Sequence, residues 1–130
     1  MENSGKSALG LDPNVAAGLA YLPVCGVNLI MSIIIIVTDK TNKLARFHAF
    51  QSLLLLATAL IIEIPAYFLM VILLVMNSTI TSLLGGLFGL VVAVFGLAIF
   101  VFMIIALIKA FQGQIYKIPF IGNMADNWSN

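Results

Sequence analysis

Three long apolar stretches divide the chain, at residues 15–37, 47–76 and 83–110, and the polar residues fall into two short connections and two tails. An α-helix needs about 20 apolar residues to cross a hydrocarbon core of about 30 Å, and each stretch is long enough. Backbone N–H and C=O groups cannot stay unpaired in lipid, so each stretch predicts a helix. The expected architecture is therefore all-α, an integral membrane helical bundle with three transmembrane helices. Its parts are an N-terminal tail at 1–13, helices at 14–38, 47–76 and 83–110, a cytoplasmic loop at 39–46, an external loop at 77–82, and a C-terminal interfacial tail at 111–130. As one helix the middle stretch would run about 45 Å. A fourth helix arises if that stretch splits into a surface helix near 44–56 and a span at 57–76. Asp12 and Pro13 read as the cap and first position of the opening helix.

Each stretch carries departures from plain apolar character. In the first, Pro23 removes a backbone donor, Gly26 loosens the chain beside it, and Asn28 adds a polar group. This predicts either a kinked helix with Asn28 bonded to a neighbour, or a broken helix lining a site, as in transport proteins. In the second, at 100° per residue, His48, Gln51, Ser52, Thr58 and Glu63 share one arc of about 140°, with Arg46 on the other side. That stripe should face protein or water, because ionisable side chains in a span avoid lipid. Glu63 lies about 22 Å from His48 along a straight helix. It reads either as a proton- or cation-handling carboxylate, or as a neutral carboxyl bonded to Asn28 or to the carbonyl of Ile61, which Pro65 frees in kinking the helix. His48 either switches with pH or bonds headgroups or the C-terminal tail; with no second His or Cys beside it, it is no metal site. Arg46, with Lys43, sets topology. In the third stretch Gly85 and Gly89 have G-x-x-x-G spacing and Ala93 continues the ridge, a surface for close helix packing. Beyond it, Gly113 reads as a helix C-cap, and Tyr116, Phe120 and Trp128 as interfacial anchors.

Composition strengthens the membrane reading. The chain is 62% apolar and 8% charged, whereas soluble domains carry about 25% charged residues. A net charge of +1 with no basic patch points away from nucleic acid. Cys25, the single cysteine, forms no internal disulfide and reads as a small packing residue. Lys40, Lys43, Arg46, Lys109 and Lys117 bias the first connection and the tail toward the cytoplasm, which leaves the N-terminus outside. No nucleophile with a placed base, metal cluster or phosphate loop is legible, so neither an enzyme nor a cofactor is expected. The expected partners are the lipid bilayer and other membrane proteins or a second copy.

Two segments resemble a known family. "LARFHAFQSLLL" (residues 44–55) and "IIALIKAFQGQIYKIPFIGNMAD" (residues 104–126) look like the signature regions of a small membrane family. That family includes the twenty-kilodalton subunit of the chloroplast inner-envelope translocon and short bacterial proteins of unassigned function; a magnetosome membrane protein group is similar too. The "PVCGVN" of the first stretch fits the family's kinked opening helix, so the likeness covers residues 15–126. It implies that Arg46, His48 and Gln51 form the family's polar helix start, and Gly113, Tyr116 and Pro119 its tail signature. It implies a membrane protein of that family, without by itself implying translocation. The expected function is a non-enzymatic subunit or organiser of a membrane complex, as a member of the translocon-like family, in the bacterial inner membrane. The alternative from the residues is an oligomeric pore or transport component lined by the His48–Glu63 stripe.

Overall fold

A computed structural model describes residues 5–24 and 26–130; Cys25 and the acidic Glu2 lie outside the described residues. After a 3-10 turn at Ala8–Gly10 come five α-helices: α1 (Pro13–Leu19), α2 (Val27–Thr38), α3 (Lys43–Val75), α4 (Thr79–Phe111) and α5 (Ile121–Ser129). No strand occurs among the described residues.

The first apolar stretch is not a span. Pro23 has no N–H to continue α1, and Gly26 starts α2 from a left-handed φ of 72°, open to glycine at little steric cost. The 12 residues of α2 rise about 18 Å, well short of a bilayer core. Two helices, α3 and α4, are long and apolar enough to cross a membrane, not the expected three. Nor does the middle stretch split to give a fourth. The good helix formers of "KLARFHAFQSLLLL" merge with the apolar run into one 33-residue helix that continues through Pro65.

Asn77, at φ 51°, turns the chain between α3 and α4. At the far end α4 closes in a Schellman motif: the Gly113 N–H bonds the Ala110 carbonyl (3.0 Å) and the Gln114 N–H bonds that of Lys109 (2.9 Å). Gly113 takes the left-handed φ of 72° that the motif requires.

The chain forms two compact units. One is built from the chain up to Leu55 and from Phe102 onward. Its apolar core rests on small residues, Ala16, Ala20, Ala45 and Ala49, around Met31 and Ile35. Here the Ser7 hydroxyl bonds the Asp39 carboxylate, and Asn42 Nδ2 donates to the Lys6 carbonyl at 3.3 Å. The N-terminal segment therefore lies beside the first connection. An external N-terminus with a cytoplasmic first connection does not fit this pairing, because that arrangement needed the first stretch to cross.

The other unit, Leu56–Val101, is a helical hairpin. A Cβ on Gly85 would meet Leu74 at 3.0 Å, and one on Gly89 would meet Met70 Sδ at 2.9 Å, so the ridge packs α4 on α3 within the chain. Ala93 is exposed. It lies about 80° around the helix from Gly85, whereas Gly96 lies only about 20° away and continues the ridge. The outer faces are apolar and open, with Phe68 69% and Val94 66% exposed, as lipid-facing helices are.

Candidate functional site

The break after α1 leaves carbonyls to satisfy. In a continued helix the Val24 N–H would bond the Ala20 carbonyl; it bonds Leu22 instead, at 2.9 Å. The hydroxyls of Ser32 and Ser52 both take the freed Ala20 carbonyl. The break also turns Tyr21 inward until it is fully buried. There it meets His48 and Gln51, one turn apart on α3 and likewise fully buried.

The directions of these bonds follow from the groups. The Gln114 carbonyl can only accept, so His48 Nε2 donates to it at 3.0 Å. His48 Nδ1 then accepts from the Tyr21 hydroxyl at 3.1 Å. Gln51 Nε2 donates to Tyr21 Oη at 2.8 Å and to the Tyr116 carbonyl at 2.9 Å. Gln51 Oε1 accepts the Ile118 N–H at 2.9 Å. Burial pushes the Tyr21 hydroxyl above its ordinary value, against a smaller opposing effect of the Gln51 bond, so it remains a proton donor. Phe47 packs edge-on to the His48 ring at 5.0 Å. The two side chains thus fasten residues 114–118 through backbone groups.

Arg46 works on helix ends. Its Nη1 donates to the carbonyls of Asp39 (2.9 Å) and Ile36 (3.1 Å), and its Nε to that of Ser129 (3.3 Å). These lie at the C-termini of α2 and α5, where carbonyls lack intrahelical partners and positive charge is favoured. The guanidinium also lies 5.6 Å from the Phe50 ring centroid, and Phe50 meets Trp128 edge-on at 6.0 Å. Arg46 is therefore a buried structural donor, not merely a topology charge.

Asp39 organises the connection. Its Oδ1 accepts the N–H groups of Thr41 and Asn42, both at 3.1 Å, and its Oδ2 accepts the Asn42 side-chain amide at 3.2 Å. Burial alone would raise its carboxyl, but the bonds from Ser7, Asn42 and Thr41 together hold it below the ordinary carboxylate value. At the tail, Asp126 pairs with Lys117 (2.7 Å) and Lys43 (3.0 Å), which also hold its carboxyl low.

The predicted polar stripe thus divides. His48, Gln51 and Ser52 belong to the first unit, Thr58 and Glu63 to the second. Glu63 does not show the expected bond: its buried Oε1 has no hydrogen-bond partner. Asn28 sits half-buried in the first turn of α2. Tyr116 and Ile118 supply the tail's backbone groups, and the Pro119 carbonyl accepts the Ile121 N–H (2.9 Å) at the start of α5. Sequence reasoning missed Tyr21, Asp39 and Asn42. The Asp-Lys-Thr-Asn run just ahead of the Lys43 helix start was a legible signal, because Asp and Asn there favour turns and caps. Among the described residues no three His, Cys, Asp or Glu side chains come together as a metal-ligand group. Arg46, His48 and Gln51 thus fasten the ends of α2 and α5 and residues 114–118.

Comparison with known proteins gives a consistent family. Residues 12–125 match the magnetosome magnetite crystal formation protein family. A UPF0132 membrane protein of Methanocaldococcus jannaschii is 31% identical over 125 residues, covering 96% of each chain. A second from that organism is 28% identical, over 93% of this chain and 73% of its own. One from Archaeoglobus fulgidus is 25% identical, over 87% of this chain and 91% of its own. No solved structure matches. These matches overturn the expected kinship with the chloroplast translocon subunit, and the translocon-like reading goes with it. Much of the resemblance, Arg46, His48, Gln51 and the tail segment, lies in residues that bond to one another's elements inside the fold.

Proposed function

Because the chain belongs to the magnetosome magnetite crystal formation protein family, we propose that this small membrane protein is a non-enzymatic organiser, a subunit that holds other proteins of a membrane complex. The observation that carries the reading is the direction of the polar bonds. Arg46, His48 and Gln51 all turn to groups of their own chain, so they build a shaped surface. That surface displays Phe120, Met124 and Trp128, all exposed, along the tail and α5. With α3 and α4 as the spans, the N-terminal segment, the first connection and the tail fall on one side. The Lys and Arg residues of the connection and tail favour the cytoplasmic side of a cytoplasmic membrane. A role in crystal formation, as the family is described, would then run through assembling partners at a membrane.

The test has two arms. In membranes solubilised in mild detergent, the protein should migrate in a complex larger than itself, and Gln51→Leu should shrink that complex while the protein stays membrane-bound. In vesicles containing only this protein, ion flux should equal that of protein-free vesicles. Flux above that level would favour the oligomeric pore, for which Glu63 is the one stripe residue with an unpartnered buried oxygen. Reporter fusions after Ser129 and at Ser78 should report opposite sides of the membrane.

A further inference from the structure

The first apolar stretch breaks after α1, turns back in α2, and its two ends meet. Ser7 bonds Asp39, and Asn42 donates to the Lys6 carbonyl at 3.3 Å. Charge is confined to those ends. Lys6 and Asp12 precede the stretch, Asp39 and Lys40 follow it, and residues 13–38 contain no Asp, Glu, Lys or Arg. The far end reaches along α3. The Ser52 hydroxyl bonds the Ala20 carbonyl, and Ser52 lies about 14 Å along α3 from Lys43. α2 covers a similar distance, about 18 Å. Half of a hydrocarbon core of about 30 Å is about 15 Å.

Two features suit this far end to lipid. Its backbone is paired from within: the Tyr21, Leu22, Val24 and Val27 N–H groups bond the carbonyls of Gly18, Leu19, Leu22 and Val24 at 2.9 to 3.2 Å. Pro23 has no N–H, and Ala20 and Tyr21 are fully buried. A turn in water can leave such groups to solvent. In a bilayer, irregular backbone is tolerated only where protein pairs and covers it. The second feature is that α2 is apolar on both sides. Met31 and Ile35 face the core, while Leu29, Ile30, Ile33 and Val37 are exposed and share an outer arc of about 100°. A helix apolar all round belongs in a protein core or a membrane. At the tip, Pro23 and Val24 are exposed as well.

We propose that α1 and α2 form a re-entrant hairpin whose tip, at residues 22–24, and outer α2 face lie among the lipid acyl chains of one leaflet, with both charged ends at the surface of that leaflet. The organiser reading rests on the bonds of Arg46, His48 and Gln51, so it stands if the hairpin lies elsewhere.

The test uses the full chain in phosphatidylcholine vesicles. Trp128 is the single tryptophan, so Trp128→Phe clears the background for Val24→Trp at the tip and Lys40→Trp at the base. Phosphatidylcholine brominated on its acyl chains should quench most of the Val24→Trp fluorescence and little of the Lys40→Trp fluorescence. Acrylamide in the water should do the reverse. In a Cys25→Ser chain in sealed membranes of one orientation, Lys6→Cys and Lys40→Cys should react with an impermeant maleimide from the same side, and Ser78→Cys from the other. Acrylamide quenching at Val24→Trp equal to that at Lys40→Trp would put the tip in water and overturn the proposal. A tip shielded from both quenchers would be covered by protein and would overturn it too. Lys6→Cys and Lys40→Cys reacting from opposite sides would make the stretch a span and reject the hairpin. Should Val24→Trp misfold by circular dichroism, Ile33→Trp on the outer face of α2 decides by the same two quenchers.

Discussion

All nine side chains that are both polar or charged and buried, among the described residues, lie in the first unit: Ser7, Ser32, Asp39, Asn42, Arg46, His48, Gln51, Ser52 and Ser129. The hairpin of the second unit has none; its half-buried polar side chains are Thr58, Glu63 and Thr81, of which Glu63 alone carries a carboxyl. The two regions contrast in backbone regularity. In the hairpin α3 and α4 satisfy nearly all their own N–H and C=O groups, and small residues let them approach. In the first unit the chain breaks after α1, turns between α2 and α3, and wanders from residue 112 to 120. Each break releases carbonyls and amides, and buried side chains take them up: Ser32 and Ser52 for Ala20, Arg46 for the ends of α2 and α5, Gln51 for Tyr116 and Ile118. Polar residues in this protein mark irregular backbone, which is why a lone carboxyl in the regular hairpin stands out.

Substitutions at Arg46, Gly89, Gln51 and Asp39, with controls beside them, break or sharpen that contrast. Arg46→Leu should have the largest effect. It strips one charged donor from three carbonyls and should cost about 3 kcal/mol in unfolding from detergent micelles. Arg46→Lys should recover little, because an ammonium lacks the planar fork that reaches several acceptors. A loss below about 1 kcal/mol for Arg46→Leu would mean that water replaces the guanidinium. Gly89→Leu comes next. A branched side chain driven into Met70 should cost about 2 kcal/mol, while Val91→Leu and Ala93→Leu, on the open face, should be nearly silent. Equal tolerance of all three would show that the hairpin does not pack through the ridge.

Gln51→Leu keeps the volume but leaves the Ile118 N–H and the Tyr116 carbonyl unpaired. It should cost about 1–2 kcal/mol and speed hydrogen exchange at the Ile118 amide above that at hairpin amides. Unchanged exchange would show that residues 114–118 hold without it. The smallest effect concerns pH. The Asp39 carboxyl titrates lower when folded than the ~3.9 of an unfolded aspartate. Its contribution is fully present above that unfolded value and is lost as pH falls through the folded one. Stability should therefore drop on the acid side, and Asp39→Asn should flatten part of that limb. Asp126, shifted the same way by Lys117 and Lys43, should leave a remainder. An unaltered acid limb in Asp39→Asn would assign the whole of it to Asp126 and other carboxylates.

The sequence by itself determined that this is a helical membrane protein, because only regular helices let apolar runs of this length lie in lipid. The sites where the chain departs from regularity were also legible. Pro23 has no donor, Gly26 and Gly113 tolerate left-handed backbone, and the glycines of α4 permit close approach, all properties local to a residue and its neighbours. Tertiary structure alone decided what those departures become. Whether Pro23 and Gly26 merely bend a span or end it depended on partners for the freed groups, and Ser32 and Ser52 supply them to the Ala20 carbonyl from distant positions. Helical spacing set His48, Gln51, Ser52 and Glu63 on one face, but spacing carries no information about what lies opposite. Three of them meet buried partners in the first unit; Glu63 meets Gly96 and an apolar cavity. Helical spacing set Arg46 on another side from the stripe, but the carbonyls it holds come from residues 36, 39 and 129, and only the folded chain brings those to one guanidinium.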